Sequence, residues 1–240
     1  MFDIPEKYKV GLEIAMKDFI PKDIKPNDKQ RIMKAVKRAE LTYQIQGEEI
    51  PSVVNDDYNC TVIQFYEIEL TSIKEAVFVA NIYQQMIKNL CVLRLYDVAK
   101  EKFSFGLKRL SKIEENKVVL EDSFISNEFL LMLPDKKKKM FLKYTSYNNI
   151  LNKTTKISFY QELFTKEKII LNYELIPEIE LMLEKPIWYD FKKMCNLNIR
   201  IGTIVELIDK KKKENISAEQ MLINQEIKKN IMYIREVIGG

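Results

Sequence analysis

The spacing of hydrophobic positions along this chain changes from one segment to the next, and each change predicts an element. Residues 1–26 carry Pro5, Pro21 and Pro26 and read as an irregular arm with one short helix near 10–19. Ile32, Val36, Ala39 and Tyr43 then recur at steps of four and three. Asn27 and Gln30 supply a cap, Gly47 a stop, and the segment reads as one helix. From 60 to 70 the chain is rich in β-branched and aromatic residues, which predicts a strand. Ser72 and Glu75 cap a helix to about residue 88, with Ile73, Val77, Ala80, Tyr83 and Ile87 facing inward. Phe78, Ile82 and Met86 give it a second apolar face, so burial on two sides is expected. The run 90–96 is apolar except for Arg94 and reads as a central strand. Phe103, Phe105 and Leu107 alternate with Ser104, Gly106 and Lys108, and a turn at 114–116 leads to another strand at 117–121. Strand, helix and three strands imply a right-handed crossover followed by a meander, hence a small mixed sheet.

From Pro134 onward the period is helical. Asp135 precedes Lys136, Lys137, Lys138 and Lys139, followed by Met140, Phe141, Leu142, Lys143, Tyr144 and Tyr147. A polar linker covers 148–156, Ser158 and Gln161 cap a further helical segment, and Pro177 and Pro186 divide it. Ile187, Phe191, Met194, Leu197, Ile201, Ile204 and Ile208 form one stripe, which stops before Lys210 to Lys213. Ser217 and Gln220 open a second stripe of Ile223, Ile227, Ile231, Ile234 and Ile238. With a polar turn at 214–216 between them, the two stripes predict an antiparallel αα-hairpin. The expected class is α+β: a small mixed sheet with flanking helices, then a helical region ending in that hairpin. The expected parts are an N-terminal α/β domain at 1–133, a helical connector at 134–186 and the hairpin at 187–240.

Composition removes several chemistries. Of 240 residues, 46% are hydrophobic and 31% charged, a globular balance. The net charge of +4 permits contact with nucleic acid without demanding it. Most of the cations are lysines, a bias that an AT-rich coding sequence would also produce. The chain has no histidine, which excludes Ser-His-Asp and Cys-His triads, His-ligated zinc and His bases. Cys60, Cys91 and Cys195 are odd in number and widely spaced, which suits a reducing cytoplasm and not a disulfide framework or a cysteine metal site. The glycines are scattered, so no phosphate loop or dinucleotide fingerprint exists. No secretory signal opens the chain, and no apolar stretch approaches the ~20 residues that cross a bilayer. A cytoplasmic protein with no membrane partner is expected.

What chemistry remains rests on three groups. Glu67 and Glu69 lie two apart on a predicted strand and so share a face. With Lys108, and Asp56 or Asp57, they could hold Mg²⁺ and activate water as a nuclease does; otherwise no metal or cofactor is expected. The competing reading is an exposed strand face whose acids pair with cations of a neighbouring strand, and it is the favoured one. Lys136, Lys137, Lys138, Lys139 and Lys143, backed by Tyr144 and Tyr147, could track a phosphate backbone with aromatic stacking, or form a solvated face. Lys210 to Lys213 suit a helix C-terminus. Ile223, Ile227, Ile231 and Ile234 are either core or a face for a protein partner.

Phe2-Asp3-Ile4-Pro5-Glu6, Phe19-Ile20-Pro21-Lys22, the 63–70 strand, Lys108-Arg109 and Asn224-Gln225-Glu226-Ile227 occur here in a single order. In this the chain resembles, over nearly its whole length, an uncharacterised bacterial and archaeal family known only as a domain of unknown function. The resemblance implies genes placed near helicases and methyltransferases in defence or mobile-element loci, and it supplies no catalytic residues. The expected function is a non-catalytic accessory or adaptor subunit of a nucleic-acid-processing, helicase-associated defence assembly. Its partner would be a helicase or another defence-system subunit. The alternatives are the Glu67, Glu69 and Lys108 nuclease and a stand-alone nucleic-acid-binding module; self-association is left open.

Overall fold

A computed structural model describes residues 2–21, 24–114, 117–175 and 179–239. In chain order the elements are β1 (Lys9–Glu13), α1 (Met16–Phe19), α2 (Pro26–Ala35), β2 (Val36–Ile45), β3 (Val53–Val54), β4 (Asn59–Cys60), β5 (Ile63–Leu70), α3 (Ala76–Met86), β6 (Leu90–Tyr96), β7 (Lys100–Leu110), β8 (Val118–Ile125) and β9 (Phe129–Leu130). There follow α4 (Lys136–Tyr144), α5 (Lys156–Leu171), α6 (Ile179–Glu184), α7 (Phe191–Lys213) and α8 (Ser217–Gly239). The fold is α+β. The chain divides into two compact units, 1–160 and 161–240, with the division inside α5.

In the first unit the strands form a mixed sheet in the order β1-β2-β5-β6-β7-β8, with β9 also on β7. β5 and β6 run parallel across the α3 crossover, and their neighbours are antiparallel. The strand-helix-three-strand core is thus the expected one. On one face of the sheet, Ala76, Val79, Ala80 and Tyr83 of α3 pack with Ile68, Leu70, Cys91, Leu93 and Leu95. The side chains of α3 are buried on this side only: Val77 and Met86 are exposed, and the second apolar face is only half covered.

The opposite face is aromatic. Phe2, Phe65, Phe103, Phe105 and Phe141 bring their rings within 4.6–6.4 Å of one another. Phe141 comes from α4, so this helix completes the first unit and does not begin a connector at 134. Residues 27–47 depart further from expectation. Pro26 opens α2, but the helix stops at Ala35 and the chain passes directly into β2, between β1 and β5. Register shifts at Val36/Arg38 and Leu41/Tyr43 space the buried residues of β2 as Val36, Ala39, Leu41 and Ile45. Two bulges thereby turn a strand's period of two into steps of three, two and four, which imitate a helix. The expected helix near 10–19 is β1 followed by the single turn of α1.

In the second unit α7 and α8 form the expected antiparallel hairpin with its turn at 214–216. Met194, Leu197, Ile201 and Ile204 of α7, and Ile223 and Ile234 of α8, are buried. Arg200 donates to Asn230 Oδ1 across the hairpin at 3.0 Å, a polar pair that pins its register. α7 runs on through Lys213, whose lysines meet the negative end of the helix dipole. α5 opens at Lys156, where the Thr155 hydroxyl accepts from the Ser158 amide at 3.1 Å, so Ser158 and Gln161 lie inside the helix. Among the described residues no helix is long and apolar enough to cross a membrane. Lys22, Glu115, Asn116 and Pro177, and the side chain of Ile238, lie outside what is described.

Candidate functional site

β7 starts with Lys100 and Glu101, and the alternation of the strand sends Glu101 to the aromatic face with Phe103 and Phe105. Glu101 is 3% exposed, and two cations meet it there. Arg94 Nε of β6 lies 2.6 Å from its Oε2, and Lys138 Nζ of α4 lies 2.5 Å from its Oε1. Arg94 Nη1 continues to Glu67 Oε1 at 3.1 Å. Lys138 also donates to the carbonyl of Leu130 at 2.7 Å. A carboxylate this deep needs such partners, because stripping its water otherwise costs several kcal/mol, of order. The network fastens α4 and β9 to the sheet.

What it fastens is a corner of unusual surface. Leu131 N donates to Ala99 O at 2.9 Å, which sets the 131–133 segment beside the turn between β6 and β7. Val98, Met132 and Leu133 are 87%, 88% and 72% exposed there, and Leu130 is also open. Pro134 and the N-cap Asp135, which accepts from Lys138 N at 2.7 Å, then start α4. Lys136 and Lys139 project to solvent and Lys137 is half exposed. Val98 in the turn between β6 and β7, and Met132 and Leu133 directly before the lysine-rich turn of α4, are bare apolar side chains of the kind that can mark a contact surface.

The lysine run is therefore split. Lys138 points inward as a structural cation, while Lys136, Lys137 and Lys139 remain on the surface. Lys143 donates to Tyr144 Oη at 3.0 Å, and Tyr144 is buried, so its ring has no open face for a base. Tyr147 lies 5.9 Å from the ring of Tyr8.

Glu67 and Glu69 do share a face, but each meets a cation of a neighbouring strand. Glu67 has Arg94, and Glu69 Oε1 has Lys37 Nζ at 3.2 Å. Arg38 binds Glu13 at 3.1 Å and Glu40 at 2.9 Å, and Glu40 sits opposite Glu67, so a band of ion pairs crosses β1, β2, β5, β6 and β7 with the two acids Glu40 and Glu67 side by side within it. Lys108 is on the other face, five residues away along the sheet. It donates to the carbonyls of Ile87 at 2.6 Å and Asn89 at 2.9 Å, and to Cys91 Sγ at 3.4 Å. Burial lowers its pKa, against the pull of Cys91, and its position just beyond α3 suits a cation at a helix C-terminus. The structure does not bring Lys108 together with the two glutamates. Asp57 reaches toward Lys112 at 3.7 Å. Among the described residues no group of three His, Cys, Asp or Glu side chains is arranged to hold a metal ion. The nuclease arrangement is therefore not assembled.

Ile223 and Ile234 are buried inside the hairpin, and Ile227 and Ile231 are half buried along the same stripe. Of the stripe expected as core or as a partner face, Ile223 and Ile234 are core, and Ile227 and Ile231 are partly covered. Sequence reading passed over Arg94, Glu101 and the apolar tip. The tip left a trace, the run 129–133 (Phe-Leu-Leu-Met-Leu) directly before the lysines, but an apolar run alone does not say which side it faces.

One family model, described as Domain of unknown function (DUF4391), matches residues 2–231. No curated protein and no solved structure matches the chain.

Proposed function

The chain belongs to the DUF4391 family, whose description assigns no activity, and from the corner at β9 and α4 we propose an accessory subunit of a nucleic-acid-processing assembly that meets nucleic acid there. Within this reading the chain itself is non-catalytic, and its protein partner is a helicase or another subunit of a prokaryotic defence assembly. The observation that carries the reading is the exposure of Val98, Met132 and Leu133 close to Lys136, Lys137 and Lys139 on a helix that the Lys138–Glu101 pair fastens to the sheet. Lysines on one helical turn can follow successive phosphates, each releasing condensed counterions. Protruding Met and Leu side chains can lie against base faces or wedge a base step. The ion pairs of Glu67 and Glu69 fit a scaffold role for that end of the sheet.

Fluorescence anisotropy with single-stranded DNA, duplex DNA and RNA over a range of salt tests this. Affinity should fall with salt, and Lys136→Ala/Lys139→Ala should lower the log–log slope by about 1.4–1.8, at roughly 0.7–0.9 per phosphate contact. Met132→Ser/Leu133→Ser should weaken binding at an unchanged slope. Salt-independent binding, indifference to both double variants, or flotation with anionic vesicles in place of nucleic-acid binding would each reject the reading.

A further inference from the structure

One polar flank of α2 faces a cleft. Asn27, Gln30, Arg31 and Lys34 recur at steps of three and four, on the side of the helix away from the buried Ile32. With Ala35, and with Thr71 and Glu75 from the connection between β5 and α3, they line an open cleft of about 350 Å³. Its walls are tied together. Thr71 N donates to Ala35 O at 2.8 Å, and the Thr71 hydroxyl donates to Lys34 O at 3.2 Å. Arg31 Nε donates to Glu75 Oε2 at 2.7 Å, and the guanidinium carbon lies 4.0 Å from the centroid of the Phe78 ring. The planar fork is thereby held in one orientation, and neither Nη nitrogen has a hydrogen-bond partner among the described residues. The same holds for Lys34 Nζ and for the side-chain amides of Asn27 and Gln30.

We propose that this cleft holds a phosphodiester of a nucleic-acid backbone. Arg31 and Lys34 donate without accepting, the amides of Asn27 and Gln30 add N–H donors, and the one carboxylate in the cleft is already bonded to Arg31. Two cations against Glu75 leave one positive charge. A phosphodiester carries one negative charge and balances it, whereas a terminal phosphate, at about −1.5 to −2, would exceed it. Apart from Ala35 the lining is polar, and Phe78 lies under Arg31, so no ring is offered for a base to stack on. The contact is therefore to the backbone and should not depend on sequence. From its N-cap Lys25 to Ala35, α2 carries Lys25, Lys29, Arg31 and Lys34 against the single acid Asp28. Only Arg31 of these four has an ion pair among the described residues, so positive charge predominates along the helix and draws a polyanion toward it. α2 packs with α3 on one face of the sheet, and α4 packs on the other. The proposal is thus independent of the reading of the α4 corner.

Fluorescence anisotropy of the full chain over a range of salt tests it, with labelled oligothymidylate and with the uncharged methylphosphonate form of the same oligomer. The phosphodiester oligomer should bind, and the methylphosphonate should bind far more weakly. Lys34→Gln should lower the log–log salt slope by about 0.7 and Arg31→Gln/Lys34→Gln by about 1.4, at roughly 0.7 per single-strand contact. Circular dichroism checks that each variant is folded, and Lys34→Gln, at an exposed position, tests the cleft even if the double variant is not. Lys136→Ala/Lys139→Ala is measured alongside. A slope that falls in the α2 variants supports the proposal, whatever the α4 variant does. A slope that falls only in the α4 variant overturns it and leaves the α4 reading standing. Absence of binding at low salt, or equal binding of the uncharged oligomer, also overturns it. Displacement by inorganic phosphate beyond that by chloride at equal ionic strength would show a site for the free anion. Flotation with phosphatidylglycerol vesicles in place of oligomer binding would show a lipid site. Either result overturns the proposal.

Discussion

Single side chains hold this fold through charges in places that are short of water. Glu101 joins Arg94 and Lys138, and its loss would leave two cations facing an apolar sheet. Glu101→Ala should therefore cost about 3–5 kcal/mol in urea unfolding. Adding Lys138→Met should recover part of this, since it removes one stranded charge; full additivity would show that the two do not interact. Cys60 gives a pH signature. Burial pushes its thiol from 9.0 up to about 12, against a smaller opposing effect of Lys156. The folded protein thus keeps a proton that the unfolded chain loses. The stability involved is intact below about pH 9 and declines as pH rises toward about 12, by at most about 1.4 kcal/mol per pH unit. Urea titrations between about pH 8 and 10, below the ordinary tyrosine range, should show a shallower decline for Cys60→Ala than for the wild type.

At the scale of elements, two joints decide how helices meet strands. Lys156, the first residue of α5, is fully buried and donates to Gly47 O at 2.6 Å, Ile50 O at 2.5 Å and Ser52 Oγ at 3.1 Å. One ammonium thus ties α5 to the loop after β2. Lys156→Met should cost about 2–4 kcal/mol and speed hydrogen exchange of amides 47–52 more than those of β6. The second joint is α3 on β7 at Gly106. A Cβ there would lie 2.6 Å from Gln84 Oε1 and 2.8 Å from Leu120 Cδ1. Gln84 cannot simply swing away, because it donates to Ser104 and Cys91 O and accepts from the Cys91 thiol. Gly106→Ala should destabilise by about 1–3 kcal/mol; an unchanged urea midpoint would mean that this contact yields freely. Elements with an undisturbed period were legible beforehand: β5, α3, β6, β7 and the α7–α8 hairpin. β2 was not, because its bulges gave it a helical spacing.

Across the whole molecule, the first unit is closed by residues far apart in sequence. Phe2 is buried among Phe65, Phe103, Phe105 and Phe141, and its carbonyl accepts from Tyr147 N at 2.6 Å. Phe2→Ala should cost about 3–5 kcal/mol, read as a lower midpoint in thermal or urea unfolding followed at the sheet. The sequence by itself determined the α+β class, the crossover and meander, and the hairpin with its turn, because each follows from a local period and local caps. It also determined one missing chemistry: with no histidine, no fold could assemble a His-dependent triad or a His-ligated metal site. Tertiary structure alone decided which charges are spent inside. Four consecutive lysines look alike in a sequence, and only the packing of α4 on β7 makes Lys138 an internal partner of Glu101 while Lys136 and Lys139 are exposed. In the same way, only sheet topology sets Lys108 on the face opposite Glu67 and Glu69. Burial and facing are set by what the other elements cover, and that depends on contacts between residues far apart along the chain, which no local period encodes.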